Sequence, residues 1–193
     1  MRGIQVKSKK KGRLFVISAP SGAGKGTVIR RLLELRPELS YSVSVTTRLP
    51  RDGEIEGVSY YFVTRERFKE MIEHSDFFEY AEYVGEMYGT PKQPIIDAIE
   101  NGKDIVLEIE VKGAQQVMSI ERNAVTIFIV PPSIEELERR LRSRRTESEE
   151  KLAARLERAI QELEERNHYG YIVVNDKVSQ AAAEISAIID DTD

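Results

Sequence analysis

The sequence predicts an α/β fold with a doubly wound, mostly parallel sheet as its core, and three observations carry that expectation. Four short apolar runs, at Leu14–Ile17, Ile105–Ile109, Val125–Val130 and Tyr171–Val174, lack clean alternation, as strands covered on both faces do. Between them lie segments whose apolar residues recur at helical spacing. The first run leads directly into Ser18-Ala19-Pro20-Ser21-Gly22-Ala23-Gly24-Lys25-Gly26-Thr27, a turn of small residues that joins a strand to a helix.

In chain order, the glycine-rich turn is followed by a helix whose Val28, Ile29, Leu32 and Leu33 share one face. The texture then changes. Val43 and Val45 alternate with Ser42 and Ser44, while Tyr60-Tyr61-Phe62-Val63 and Phe77–Val84 read as further short strands, with Phe68, Met71 and Ile72 at helical spacing between them. This predicts a separate small lobe over residues 41–90, inserted into the core. Ile95, Ile96 and Ile99 form the next helix face, which ends at Asn101-Gly102. Ser133 with Glu136 is a capping box ahead of Leu137 and Leu141, and Thr146 with Glu149 predicts the cap of a helix striped by Leu152, Leu156, Ile160 and Leu163. Ile185, Ile188 and Ile189 place a closing helix after the last strand.

Composition narrows the function classes. The chain has 193 residues, 40% of them hydrophobic, which suffices for a sizeable interior and argues against disorder. Its 33 acidic and 29 basic residues leave a net charge of −4, so no global positive excess points to nucleic acid or an anionic membrane. Cysteine is absent, which excludes disulfides and thiol catalysis. Lys7, Lys9, Lys10, Lys11 and Arg13 make the start of the chain basic, but the apolar run behind them is too short for a signal core and leads into the glycine turn. With no long apolar stretch, a cytoplasmic protein is expected. His74 and His168 stand alone, without metal-ligand spacing.

The chemistry concentrates in the glycine-rich turn. Small residues let successive backbone N–H groups point inward around a phosphate, the helix N-terminus adds the positive end of its dipole, and Lys25 supplies a mobile full charge. Ala19, Pro20, Ser21, Gly22, Ala23, Gly24, Lys25, Gly26 and Thr27 are therefore read as a phosphate loop for a nucleoside triphosphate. Two positions depart from the usual pattern: Ala19 stands at its first glycine, and Gly26 stands where a Ser or Thr hydroxyl often meets magnesium.

Beyond this loop the chain continues with Ser44-Val45-Thr46-Thr47-Arg48-Leu49-Pro50-Arg51, Gly53-Glu54, Gly57, Tyr60-Tyr61-Phe62, Phe78-Glu79-Tyr80-Ala81, Tyr88-Gly89-Thr90, Leu107-Glu108-Ile109-Glu110, Pro131-Pro132-Ser133 and Val174-Asn175-Asp176. This co-linear set, covering nearly the whole chain, resembles the guanylate kinases. The resemblance implies ATP-dependent phosphoryl transfer to GMP, with dGMP a further candidate acceptor. It also implies a core in three parts (1–40, 91–139 and 159–193), a GMP-binding lobe at 41–90 and a helical lid at 140–158. By the same resemblance Arg48 and Arg51 hold the GMP phosphate with Tyr60 and Tyr88, and Glu79 reads guanine beside Ser44 and Thr90. Glu108 and Glu110 aid GMP and hydrated magnesium, Arg144 and Arg155 close over the phosphates, and Asn175 belongs to the ATP site. Lys25, Arg48, Arg144 and Arg155 are the expected catalytic charges. Arg145 stands where the family commonly has Gly, and Lys112 where it often has Gln.

The residue chemistry is compatible with that implication. A phosphate acceptor is already largely ionised near neutral pH, its second pKa being about 6, so no general base is needed. The harder task is bringing two anions together and supporting the charge that spreads over the transferred oxygens, which fixed cations do. No protein ligand for a metal is assigned, and magnesium is expected to be coordinated largely by water. A partner-binding domain of the same fold, with a degraded loop, and a kinase for another monophosphate remain as alternatives. The oligomeric state is open.

Overall fold

The computed structural model describes residues 10–83, 85–143 and 148–192. Its main sheet has five parallel strands in the order β2-β7-β1-β8-β9. These are β1 (Leu14–Ser18), β2 (Ser40–Tyr41), β7 (Ile105–Glu108), β8 (Val125–Val130) and β9 (Tyr171–Val174). All four apolar runs are thus strands of one sheet. Parallel neighbours need crossovers, and helices cover both faces as that topology requires.

On one face Phe15, Ile17, Val106, Ile127, Ile129 and Val173 pack against α1 (Lys25–Leu35) and α7 (Val178–Asp191), through Val28, Ile29, Leu32, Ile185 and Ile189. On the other, Leu14, Val16, Ile105, Leu107 and Phe128 meet Ile95 of α3 (Lys92–Glu100) and Val111, Ala114 and Val117 of α4 (Val111–Ile120). The sequence reading did not single out α4. Its Val111, Ala114 and Val117 do recur at helical spacing, but the first follows a strand so closely that the two periods merge.

The lobe has its own four-stranded mixed sheet in the order β4-β3-β6-β5. These strands are β3 (Val45–Thr46), β4 (Tyr61–Phe62), β5 (Phe77–Tyr83) and β6 (Glu86–Pro91). Phe68 on α2 (Arg65–Glu73) stacks on Phe77 at 4.5 Å between ring centroids, and Val45 completes this small core. Thr64 caps α2 by accepting from the Arg67 amide. Ser42, which bonds Val106 O through its amide, still runs beside the core sheet, and the observed lobe sheet spans Val45 to Pro91.

Two details of the arginine-rich region differ from expectation. Helix α6 (Glu149–Glu164) is capped by the Ser148 hydroxyl, which accepts from Lys151 N, whereas Thr146 lies outside the described residues. Its inward row is Leu152, Leu156, Ala159 and Leu163. Ile160 is exposed, because two successive steps of four, from Leu152 through Leu156, drift off the face to which a four followed by a three, ending at Ala159, returns. Helix α5 (Ile134–Ser143) begins as expected, with Ser133 Oγ accepting from the Glu136 amide at 3.2 Å.

Candidate active site

The glycine-rich turn leaves β1 at the centre of the sheet, between β7 and β8, and feeds α1. Ligands in parallel sheets bind at such carboxyl-end crevices. The turn is shaped by left-handed residues at Gly22 (φ 91) and Gly24 (φ 88), conformations that a residue with a Cβ adopts only with strain. At Gly24 space forbids one as well, since a Cβ would lie 2.7 Å from Asn175 Nδ2. Asn175 is buried; its amide donates to Ala23 O at 2.7 Å while its Oδ1 has no partner among the described residues. Arg140 also ties the turn, donating to Ala23 O and Asn175 O.

Lys25 begins α1, and its Nζ donates to Ile109 O at 2.7 Å and lies 3.4 Å from Glu110 Oε1. The ammonium is thereby held at the strand end. Glu108 ends β7, and Glu110 stands at the N-cap of α4, so the two carboxylates come from a strand end and a helix start. Glu108 Oε1 lies 3.3 Å from where a Cβ on Gly26 would stand, so the carboxylate occupies the room that a Ser or Thr side chain at position 26 would use. Glu108 also accepts from the Tyr41 hydroxyl at 3.1 Å. Burial, reinforced by this carboxylate, pushes the Tyr41 phenol well above its ordinary value.

A second group lies on the lobe. Glu79 on β5 accepts a 2.6 Å hydrogen bond from the Thr90 hydroxyl across the β5–β6 ladder. Burial raises the Glu79 carboxyl above its ordinary value, against the opposing pull of Thr90 and of the Lys25 charge. Its Oε2 lies 2.8 Å from the position a Cβ would take on Gly113. Glycine inside α4 thus allows the lobe's carboxylate to rest against the core's helix. Ser44, half-buried, precedes β3, and its carbonyl accepts from Tyr61 N.

A third group surrounds Arg48. Its guanidinium grips the Glu54 carboxylate through Nη1 and Nη2, each at 2.8 Å, and its carbon lies 5.3 Å from the centre of the Tyr60 ring. The Tyr60 and Tyr88 rings meet edge to face at 6.1 Å. The Arg48 fork holds the Glu54 carboxyl far below its usual range, at about 2. Arg51 lends this group its backbone amide, which donates to Glu54 Oε2 at 2.7 Å.

The arginine-rich region meets the glycine-rich turn at Ser21. Arg155 Nη2 donates to Ser21 Oγ at 3.2 Å, and Ser21 N donates to Glu162 Oε2 at 3.1 Å. Arg144 lies outside the described residues. The sequence-predicted residues therefore gather as Lys25 with Glu108 and Glu110, Glu79 with Thr90, Arg48 with Tyr60 and Tyr88, and Arg155 with the turn. Sequence reasoning gave no role to Tyr41, Gly113 and Glu162, nor to Glu54, which it quoted only as part of the co-linear pattern. Only Glu54 carried a local signal, an acidic residue three positions after Arg51 across Asp52-Gly53; the other three act across elements far apart in the chain.

This arrangement has close counterparts. The sequence profile of the family described as Guanylate kinase matches residues 11–192. A guanylate kinase of Synechococcus sp. (strain JA-3-3Ab) is 48% identical over 93% of this chain and 82% of its own length. One from Thermus thermophilus is 50% identical over 93% of this chain and 81% of its own. The crystal structure of guanylate kinase from Anaplasma phagocytophilum superposes with a TM-score of 0.77 at 38% identity, covering 95% of this chain and 87% of that one. With the family profile spanning all four residue groups and both sheets, the chain belongs to the guanylate kinase family.

Proposed function

We propose that the protein transfers the γ-phosphoryl group of ATP reversibly to GMP, giving ADP and GDP, by in-line displacement supported by fixed charges and without a general base. Glu79 is the observation that carries the choice of acceptor. A carboxylate kept where burial disfavours its charge, and resting against Gly113, suits a ligand edge with two adjacent donors. Guanine presents that edge in its N1–H and 2-amino groups. Adenine would set an unprotonated N1 there and leave buried groups unpaired, a penalty that such sites turn into about 10⁴-fold discrimination.

The remaining roles follow from charge and reach. The turn from Ala19 to Thr27 cradles the triphosphate, and Lys25 supports the charge that develops on the transferred oxygens. The unpaired Oδ1 of Asn175 offers an acceptor beside the turn, suited to the amino group of adenine. Arg48, Arg51, Tyr60 and Tyr88 take the GMP phosphate, Ser44 and Thr90 support Glu79, and Arg155 with Arg144 covers the ATP phosphates. Magnesium fits the donor set, since Glu108 and Glu110 offer carboxylates to its hydration shell beside a loop that has no hydroxyl at Gly26. Bound there, the ion neutralises phosphate charge.

The lobe at 41–90 and the arginine-rich segment at 140–158 close over the ligands, since Arg48 and Arg51 ride on the one and Arg144 and Arg155 on the other, and each ligand gains contacts in the closed state. No described helix is long and apolar enough to cross a membrane, and the proposed site of action is the cytoplasm. The deciding experiment follows ATP consumption with GMP, dGMP, AMP, UMP, CMP and no acceptor. GMP is expected to dominate, and ATP alone to turn over very slowly, because closure excludes water only when the acceptor is bound. Equal rates with AMP, or no turnover with GMP, would remove the reading.

Gly113→Ala tests how closely base recognition depends on the seam between lobe and core. Alanine relieves a helix penalty of about 1 kcal/mol, yet its methyl meets Glu79 Oε2 at 2.8 Å. A displaced carboxylate is expected to raise the KM for GMP about tenfold with the KM for ATP unchanged. Steady-state kinetics with each substrate varied in turn, beside a melting curve, checks this.

A further inference from the structure

We propose that Glu54 is the positioning residue that aims Arg48 at the acceptor phosphate; the inference rests on the reading of Arg48 given above. A guanidinium carries five N–H donors in one plane. In Arg48 three are engaged: Nη1 donates to Glu54 Oε2 and to Leu49 O, each at 2.8 Å, and Nη2 donates to Glu54 Oε1 at 2.8 Å. The two that remain, on Nε and on Nη2, lie side by side along the other edge of the plane. They form a second two-pronged face of the geometry that matches two phosphate oxygens. The Nε donor is buried and has no hydrogen-bond partner among the described residues, although the protein interior normally satisfies such groups. That edge belongs to a guanidinium stacked over Tyr60, whose charge Glu54 and, to a smaller extent, the Tyr88 phenol stabilise.

Glu54 is itself fixed. Its amide donates to Arg51 O at 3.0 Å while its Oε2 accepts from Arg51 N at 2.7 Å, closing a turn through Asp52 and Gly53, the latter at φ 84. The carboxylate therefore holds one edge of the Arg48 fork against a rigid turn and leaves the other edge for the ligand. It is a permanent partner of the arginine, and GMP is not required to displace it.

The test compares Glu54→Gln, Glu54→Asp, Arg48→Lys and the Glu54→Gln/Arg48→Lys double variant. KM is measured for GMP and ATP, and guanosine is used as a competitive inhibitor that lacks the phosphate. Glutamine keeps the shape but sets an amide donor against a donor, so the KM for GMP is expected to rise at least about tenfold. The KM for ATP and the inhibition by guanosine are expected to hold. Aspartate, with the charge but one methylene less reach, is expected to fall between, and the double variant to lose little more than Arg48→Lys alone. Tighter or unchanged GMP binding in Glu54→Gln, with Arg48→Lys impaired, overturns the positioning role and leaves the phosphate site standing. Unchanged GMP binding in Arg48→Lys overturns the reading of the phosphate site and the proposal with it. Equal losses for GMP, ATP and guanosine would assign Glu54 a purely structural part and overturn the proposal as well.

Discussion

Replacing Lys25 by alanine is expected to lower kcat by about 10³-fold while the fold survives, because the side chain supplies charge to the transition state and little to the core. Its anchors in the free protein are modest: one hydrogen bond to Ile109 O and a 3.4 Å approach to Glu110, whose side chain is 67% exposed. Losing a single hydrogen bond to a backbone carbonyl costs about 1 kcal/mol. In a domain of this size that lowers the Tm by roughly 2–4 °C. A single-turnover assay with GMP and ATP saturating, together with a thermal melt, separates the two effects. Near wild-type turnover in a folded variant would remove Lys25 from the chemistry.

The second large effect belongs to Glu79→Gln, where function and stability are expected to move in opposite directions. Glutamine keeps an oxygen to accept from Thr90 but replaces the other acceptor by a donor, facing guanine's own donors. Discrimination of GMP over AMP in kcat/KM is expected to shrink by at least about 10²-fold. The free protein gains. Burial holds the Glu79 carboxyl above its ordinary value of 4.5, so its contribution to stability is fully present below that value and is lost as pH rises through the folded-state pKa. At neutral pH the ionised carboxylate is therefore a liability that glutamine removes. Melting curves of the ligand-free proteins should show the variant at least as stable as the parent at about pH 7, with the advantage gone at about pH 4. A variant less stable at neutral pH, or one that still rejects AMP, would mean that Glu79 serves packing and that another group reads the base.

The main sheet and the phosphate turn were legible in the sequence, because their causes are local. A parallel strand buried on both faces is apolar at every step, as in Leu14–Ile17 and Val125–Val130, and a left-handed turn at a helix start calls for glycine at positions 22 and 24. The candidate residues on the lobe were legible for a different reason, as letters of a co-linear pattern that resembles one family. Strand β6 and helix α4 were missed, the first because Glu86–Pro91 carries few apolar residues and gains its place by pairing with β3 and β5. Propensity is a weak guide where the partner strand supplies the stability.

What the sequence determined by itself was the α/β class, the glycine-rich turn with its single lysine, and the residue types able to hold two anions together. Only the tertiary structure decided which donors of those residues are already engaged. It set Glu54 against one edge of Arg48, Glu108 in the room beside Gly26, Glu79 against Gly113 and Glu162 on the Ser21 amide. Periodicity and motif spacing record how the chain meets its near neighbours. The aim of a guanidinium edge, or the crowding of a carboxylate by a helix, depends on contacts between residues far apart in the chain, 141 residues in the bond from Ser21 to Glu162, and these exist only once the sheet and lobe have packed.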